Sequence, residues 1–210
     1  MAATPLEKSA FKRLVRSKVV DYWEEKLRHE AASLKSLTSY FHPKYMSLTF
    51  PHPIWTTAGS SPAKVAMATI QALMLSVRYR CDSLVHHWSL AVTGFCTMSP
   101  NCQNLMEDLQ HMLQFCPSLD ESRRKLYLHT KSCSKALSVD ARTILLTYCD
   151  PKNDHFTRFV VDCSTFPEVI AAVQRDGPDL LSVFFDVTRV WTYVLHRDRF
   201  RLRGQWRPGA

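Results

Sequence analysis

Several features that define common classes of protein are missing from this sequence. No segment approaches the run of about 18 apolar residues that a membrane span requires. The N-terminus, Met1 to Lys12, carries charge but no apolar core of the signal-peptide type. Only 5 of the 210 residues are glycine, which disfavours an architecture rich in tight β-hairpins. These absences predict an intracellular protein of the cytoplasm or nucleus that makes no contact with membranes.

The composition is that of a globular protein with an excess of basic residues. Hydrophobic residues make up 46% of the chain and charged residues 22%, which provides enough apolar material for a core. Lys and Arg number 27 against 19 Asp and Glu, giving a formal charge of +8. Such an excess favours a polyanionic partner, because phosphate contacts release counterions. Many basic proteins bind no nucleic acid, so the charge alone leaves the partner open.

Helical periodicity predicts a mainly α protein, a compact irregular helical domain with a long N-terminal helix from Leu6 to about Tyr40. The apolar residues of this first helix recur at steps of three and four: Val20, Trp23, Leu27, Ala31 and Leu34. Residues 41–61 contain several prolines and aromatics and no helical period, which predicts a packed loop. Ser61 and Pro62 predict the start of a second helix that ends near Tyr79.

Three later helix starts are well marked. Residues 118–121 and 165–168 both have the Ser/Thr-x-x-Glu pattern of a capping box, and Gly177 marks the end of the second of these helices. The last helix begins at Asp179. The best strand signal is short and lies at residues 159–161.

These features divide the chain into three parts. They are an N-terminal helix and loop (1–60), a metal-binding segment (61–130) and a C-terminal helical part with a basic tail (131–210), which we expect to form one compact domain overall.

The segment from Gly94 to Cys116 contains a set of potential metal ligands. Cys96 and Cys102 are separated by five residues, His111 follows after eight more, and Cys116 after a further four. Three thiolates and one imidazole are a suitable tetrahedral set for a structural zinc ion. His111 lies near the end of a short predicted helix, and Pro117 disfavours helical geometry at Cys116, which allows its thiol to turn back.

Two alternatives to this ligand set stay open at this point. His86 and His87 lie nearby and can replace His111 as a ligand. The cysteines of the set can equally be buried as small apolar residues, which is common for cysteine. The remaining cysteines have no ligand-like spacing and are predicted to lie in the core: Cys81, Cys133, Cys149 and Cys163.

The order of motifs in this part of the chain resembles a known family. The motifs are Arg78-Tyr79-Arg80-Cys81-Asp82, His87-Trp88-Ser89, Gly94-Phe95-Cys96, Cys102, Glu107-Asp108-Leu109-Gln110-His111 and Cys116-Pro117. This order is similar to the zinc-binding segment that follows the polymerase in non-long-terminal-repeat (LINE-type) retrotransposon reverse transcriptases. The resemblance is strongest over residues 53–124. It implies zinc as the cofactor and Cys96, Cys102, His111 and Cys116 as its ligands.

The resemblance also implies a partner and a set of contact residues. Such a region holds RNA or DNA by its backbone beside a reverse transcriptase core. The basic residues that we expect to touch phosphates are Arg78, Arg80, Arg123, Arg124, Lys125, Arg197, Arg199, Arg201 and Arg203. The sequence contains no Asp-Asp pair of the polymerase type, and no small-molecule motif is present, so no catalysis is expected.

Two other readings compete with nucleic-acid binding. In a structural or protein-interaction domain, the basic residues would scatter over the surface instead of sharing a face. A metal-dependent nuclease would need a second carboxylate and a lysine at a suitable spacing after Pro178-Asp179, and these are absent. The sequence therefore favours a non-catalytic module.

Overall fold

The computed structural model describes residues 7–33, 51–76, 78–88, 93–102 and 104–204. The chain forms two compact units, residues 1–52 and residues 53–210. The described residues contain α-helices, short 3-10 and π-helical turns and one isolated bridge, between Phe95 and Met106, but no β-strand. The prediction of a mainly α protein is therefore confirmed. None of the helices in these ranges is both long and apolar enough to cross a membrane.

The α-helices of the described residues are numbered here in chain order. They are α1 (Lys8–Ser33), α2 (Pro53–Thr56), α3 (Pro62–Leu75), α4 (Asp82–Trp88), α5 (Asp120–Cys133), α6 (Val139–Tyr148), α7 (Phe156–Val161), α8 (Pro167–Asp176) and α9 (Asp179–Leu202). A π-helical turn spans His111–Phe115. Single 3-10 turns span Pro100–Cys102, Pro117–Leu119, Ser134–Ala136 and Cys163–Thr165.

The first unit contains the long N-terminal helix, α1. In the predicted apolar stripe, Val20 is half-buried and Trp23 is exposed. The side chains of Leu27 and Ala31, and all of residues 34–50, lie outside the described residues, and so do residues 41–50 of the predicted loop at 41–61. Where the description resumes, residues 53–56 form the short helix α2 instead of loop.

The second unit is built around α9. This helix packs against α3, α5, α7 and α8. Its buried apolar side chains are Leu180, Phe184, Phe185, Trp191 and Leu195. Trp191 donates a hydrogen bond from its indole N–H to the Thr130 hydroxyl at 2.9 Å. Because α9 covers both α3 and α5, residues 61–130 and 131–210 share one core.

The two predicted capping boxes do not form. The Ser118 hydroxyl donates to the carbonyl oxygen of Met98 at 2.8 Å, and α5 begins after a 3-10 turn instead. The Thr165 hydroxyl donates to the carbonyl of Asp162. Tertiary contacts and a local turn therefore take the hydroxyls that the pattern assigned to helix starts. The stop at Gly177 (φ 101°) is confirmed.

The weak strand signal at residues 159–161 does not correspond to a strand, because this segment belongs to the helix α7. Phe159, Val160 and Val161 are all buried. A short run of bulky apolar residues suits any fully buried element, so its composition does not distinguish a strand from a short helix. The predicted start of the last helix at Asp179 is confirmed.

A buried cluster of charged side chains joins Asp82 and Glu107, which lies between two of the candidate metal ligands in the sequence, to the end of α9. Glu107 is fully buried and accepts hydrogen bonds from Arg199 at 2.7 and 2.9 Å. Arg203 donates to Glu107 at 2.8 Å and also pairs with Asp82. The Tyr79 ring lies 5.6 Å from the Arg199 guanidinium. The negative charges of two carboxylates and the positive charges of two guanidinium groups thus compensate one another in the protein interior.

Replacing Arg199 by alanine is expected to lower the free energy of unfolding by about 3–5 kcal/mol, because the buried carboxylate of Glu107 loses its principal partner. The matched control is Arg201→Ala. This exposed arginine lies on the same helix and should change stability by less than about 0.5 kcal/mol. Urea denaturation followed by circular dichroism measures both. Equal stability of the two variants would contradict the role of Arg199 as the principal partner of the buried Glu107.

Candidate metal centre

A short antiparallel contact between residues 94–96 and 105–107 positions the first ligand. The Cys96 N–H donates to the Leu105 carbonyl at 2.9 Å, and the Glu107 N–H donates to the Gly94 carbonyl at 3.0 Å. Gly94 has φ +76°, and a Cβ there would lie 3.2 Å from the Cβ of His86. This position therefore needs glycine, both for its backbone conformation and for the close approach of His86.

Two turns bring Cys102 and Cys116 to the same place. The Cys102 N–H donates to the Ser99 carbonyl at 3.0 Å in a 3-10 turn. Cys116 follows the π-helical turn, has extended backbone (φ −64°, ψ 116°) and donates its N–H to the His111 carbonyl at 2.7 Å. The predicted exit of the chain from helical geometry before Pro117 is confirmed.

The side chains of Cys96, Cys102, His111 and Cys116 converge in the interior. Their potential ligand atoms all lie within 4.8 Å of one another, and all four residues are buried. The Cys116 sulfur lies 3.8 Å from the sulfur of Cys96 and 3.8 Å from that of Cys102. These separations are far longer than the 2.05 Å or so of a disulfide, so the cysteines are free thiols.

The imidazole of His111 has a nitrogen atom that is available to bind a metal ion. Its Nε2 atom is buried and has no hydrogen-bond partner among the described residues. A buried polar atom without a partner is costly, and a metal ion can satisfy it. Burial lowers the pKa of His111 below its ordinary value, which favours the neutral form that coordinates metals.

The pKa values of Cys96 and Cys116 shift in the opposite direction to that of His111. Burial raises the pKa of Cys116 to about 12, and it also raises the pKa of Cys96. Several thiolates cannot share a buried space without a compensating positive charge, and the raised pKa values of Cys96 and Cys116 favour their protonated forms when no cation is bound. A divalent cation would supply that charge and displace the protons. This buried Cys-Cys-His-Cys group can therefore hold a metal ion.

Arg123 supports the centre from the side of α5. Its guanidinium group donates to the carbonyl oxygens of Met112, Leu113 and Cys116, and it pairs with Asp120. Met112 and Leu113 lie within the π-helical turn that carries His111, and Cys116 follows that turn directly. Because Arg123 is 3% exposed, we remove it from the expected phosphate contacts. The sequence gives no signal for this supporting role, because it depends on how the chain folds back on itself.

The other residues expected to contact nucleic acid fall into two groups. Arg199 is buried and Arg203 is largely buried, and both are engaged by carboxylates, so neither is free for a phosphate. Arg197 is half-buried and pairs with Asp198. The exposed residues of the set are Arg78, Arg80, Arg124, Lys125 and Arg201. The nine basic residues therefore do not share one exposed face.

The alternative ligands and the remaining cysteines are also placed. His86 packs beside Gly94 and does not belong to the converging group, while the His87 side chain lies outside the described residues. Cys81, Cys149 and Cys163 are buried, as predicted for core cysteines. Cys133 is exposed at the end of α5, so its predicted place in the core is wrong. Spacing alone does not show which side of a helix faces the core.

Comparison with protein-family models, with characterised proteins and with solved structures gave no match for this chain. The fold and the site define its class as a mainly helical protein with a buried Cys-Cys-His-Cys group suited to a metal ion. Among the described residues, it is the one group of three or more potential ligand side chains that converge in this way.

Metal binding is expected to strengthen as pH rises from about 6.5 to about 8. The raised pKa keeps Cys116 protonated throughout this range without metal, so binding releases its proton. The affinity for Co²⁺ should rise by about tenfold per pH unit for each thiol deprotonated. A titration that follows the thiolate–cobalt absorption band in competition with a chelator measures this. Cys133→Ser should leave the pH dependence unchanged, and a pH-independent affinity would contradict thiolate ligation.

Proposed function

We propose that this protein is a non-catalytic module that binds a structural zinc ion and holds nucleic acid by its phosphate backbone. By its sequence resemblance, we further propose that it derives from the C-terminal region of a LINE-type reverse transcriptase and that its partners include RNA or DNA and a reverse transcriptase core. The observation that carries the zinc proposal is the convergence of Cys96, Cys102, His111 and Cys116 within 4.8 Å.

The geometry of the sulfur atoms supports zinc. A tetrahedral site with Zn–S bonds of about 2.3 Å has S···S edges of about 3.8 Å. The two sulfur separations at Cys116 are both 3.8 Å. Four protein ligands in a buried position leave no open place for water or substrate, which is typical of structural zinc sites. Thiolate and imidazole ligands together also favour zinc over magnesium or calcium.

Support for nucleic-acid binding comes from charge and from the arrangement of two segments. The formal charge is +8. Tyr79 hydrogen-bonds His196 at 3.0 Å, which brings residues 78–80 against the last turns of α9. The exposed Arg78 and Arg80 flank Tyr79, and the exposed Arg201 lies on those last turns of α9. Two segments of the second unit that are joined by this hydrogen bond therefore both carry exposed cations.

A structural or protein-interaction domain is the second candidate. It is favoured by the burial of Arg123 and Arg199, two of the nine basic residues that the sequence had led us to expect as phosphate contacts. Arg124 and Lys125 are also partly neutralised by Glu121. This candidate is compatible with the zinc site and differs only in the partner. A binding assay therefore separates the two.

The purified protein is expected to contain one zinc ion per chain, measured by elemental mass spectrometry. Cys102→Ser should lose the metal, because it removes a ligand from a closed tetrahedral site. It should also unfold at a lower temperature, because structural zinc contributes directly to folding. The exposed Cys133→Ser should keep both the metal and the stability. A well-folded, zinc-free wild type would overturn the proposed cofactor.

The second test is the salt dependence of binding. Labelled RNA and DNA oligonucleotides should bind with a log K that falls linearly with log salt concentration. Arg78→Gln with Arg80→Gln should reduce the magnitude of the slope by about 2, since each residue contributes about one phosphate contact. Lys152→Gln with Arg158→Gln, two other exposed cations, is the matched control. The absence of binding to any oligonucleotide at low salt would favour the interaction domain.

A further inference from the structure

The outer side of α5 carries a row of cations, of which only Arg124 was expected from the sequence to contact phosphate. Arg123, Leu126 and Thr130 are buried and define the inner side of this helix. Arg124 and Lys131 lie seven residues apart, about two helical turns, and both are on the solvent-exposed side of the helix.

This row continues into the next turn. Lys135 follows in the 3-10 turn that extends the helix, and it is also exposed. With a rise of 1.5 Å per residue, the three cations are spaced by about 10 Å and about 6 Å along the axis.

Beyond the first turn of α5, all the charged residues of this helix are basic. From residue 122 to residue 139 the sequence contains no Asp or Glu. Among the described residues, the ion pairs of α5 lie at its start, where Glu121 pairs with Arg124 at 2.8 Å and with Lys125 at 3.3 Å. Lys131 and Lys135 therefore have no acidic neighbour on their own helix, and the carboxylate of Asp176, which comes close to the chain at Ser138, is held by the Ser138 hydroxyl at 2.7 Å. Exposed cations without an acidic neighbour on their helix favour a polyanion.

We propose that the row formed by Arg124, Lys131 and Lys135 is the surface on which the backbone of duplex DNA docks. The proposal rests on the nucleic-acid function proposed above and assigns it a surface and a partner. Contacts of lysine and arginine with phosphate position a duplex without reading its sequence. The metal centre would contribute by fixing the start of α5, since Arg123 links that helix to the Cys116 carbonyl.

The shape and chemistry of the row favour a duplex over a single strand. Surfaces for single strands combine cations with exposed aromatic rings on which bases stack. The side chain between the cations of the row is Leu128, which is 52% exposed, while Tyr127 is half-buried beside α6. The major groove of B-DNA admits an α-helix, whereas the deep, narrow major groove of duplex RNA does not admit side chains.

The experiment measures the binding of a fluorescein-labelled 20-base-pair DNA duplex of arbitrary sequence by anisotropy, over a series of salt concentrations. Lys131→Gln with Lys135→Gln should weaken binding by about tenfold and reduce the magnitude of the salt slope by about 2. Glu121→Gln should do the reverse, because it frees two cations from an ion pair. The control with matched net charge is Lys12→Gln with Lys18→Gln, two exposed lysines of α1.

The outcomes separate this inference from the function on which it rests. If the wild type binds duplex DNA and the α1 control weakens binding as much as the α5 variant, the row is not the surface. If the wild type prefers a single strand or duplex RNA, the assigned partner is wrong. If it binds none of these, the proposed function fails as well. Lysines near a helix end also interact with the helix dipole, so urea denaturation must show that the α5 variant keeps its stability.

Discussion

The second unit of the fold depends on one buried carboxylate. Glu107 is fully buried directly after the antiparallel contact that positions Cys96, and it is neutralised by Arg199 and Arg203 from α9. Removing a carboxylate from water is costly unless cations and hydrogen bonds replace the lost hydration. The metal-binding segment can therefore keep its position only while the last helix is in place. This pairing joins residues that are 92 apart in the sequence.

In the candidate metal centre, burial also affects the protonation of the ligand side chains. The same desolvation lowers the pKa of His111 and raises the pKa of Cys116, so both side chains favour their neutral forms when no cation is bound. A divalent ion reverses the balance by favouring thiolates. The arrangement is therefore held partly by packing, through Arg123 and the turns, and partly by whatever cation occupies it. Packing brings the ligands together, and the cation decides their protonation.

The errors of the sequence-based predictions share a cause. The hydroxyls of Ser118 and Thr165 bond to carbonyls outside the predicted capping boxes, and Phe159 lies in a buried helix instead of a strand. Cys133 faces solvent although its spacing suggested the core. Each prediction used only neighbours within a few residues. The competing partner of Ser118 lies elsewhere in the fold, that of Thr165 lies in a local turn, and the place of Cys133 depends on which side of a helix is covered.

The sequence by itself determined the helical class, the start of α9 at Asp179 and the set of four metal-ligand candidates. These follow from local periodicity and from the chemistry of residue types, which need no knowledge of distant contacts. Only the tertiary structure decided the roles of the basic residues. It placed Arg123 and Arg199 against carbonyls and carboxylates, and it left Lys131 and Lys135 in solvent. The physical reason is that a guanidinium or ammonium group contributes according to what surrounds it, and those surroundings are assembled from distant parts of the chain.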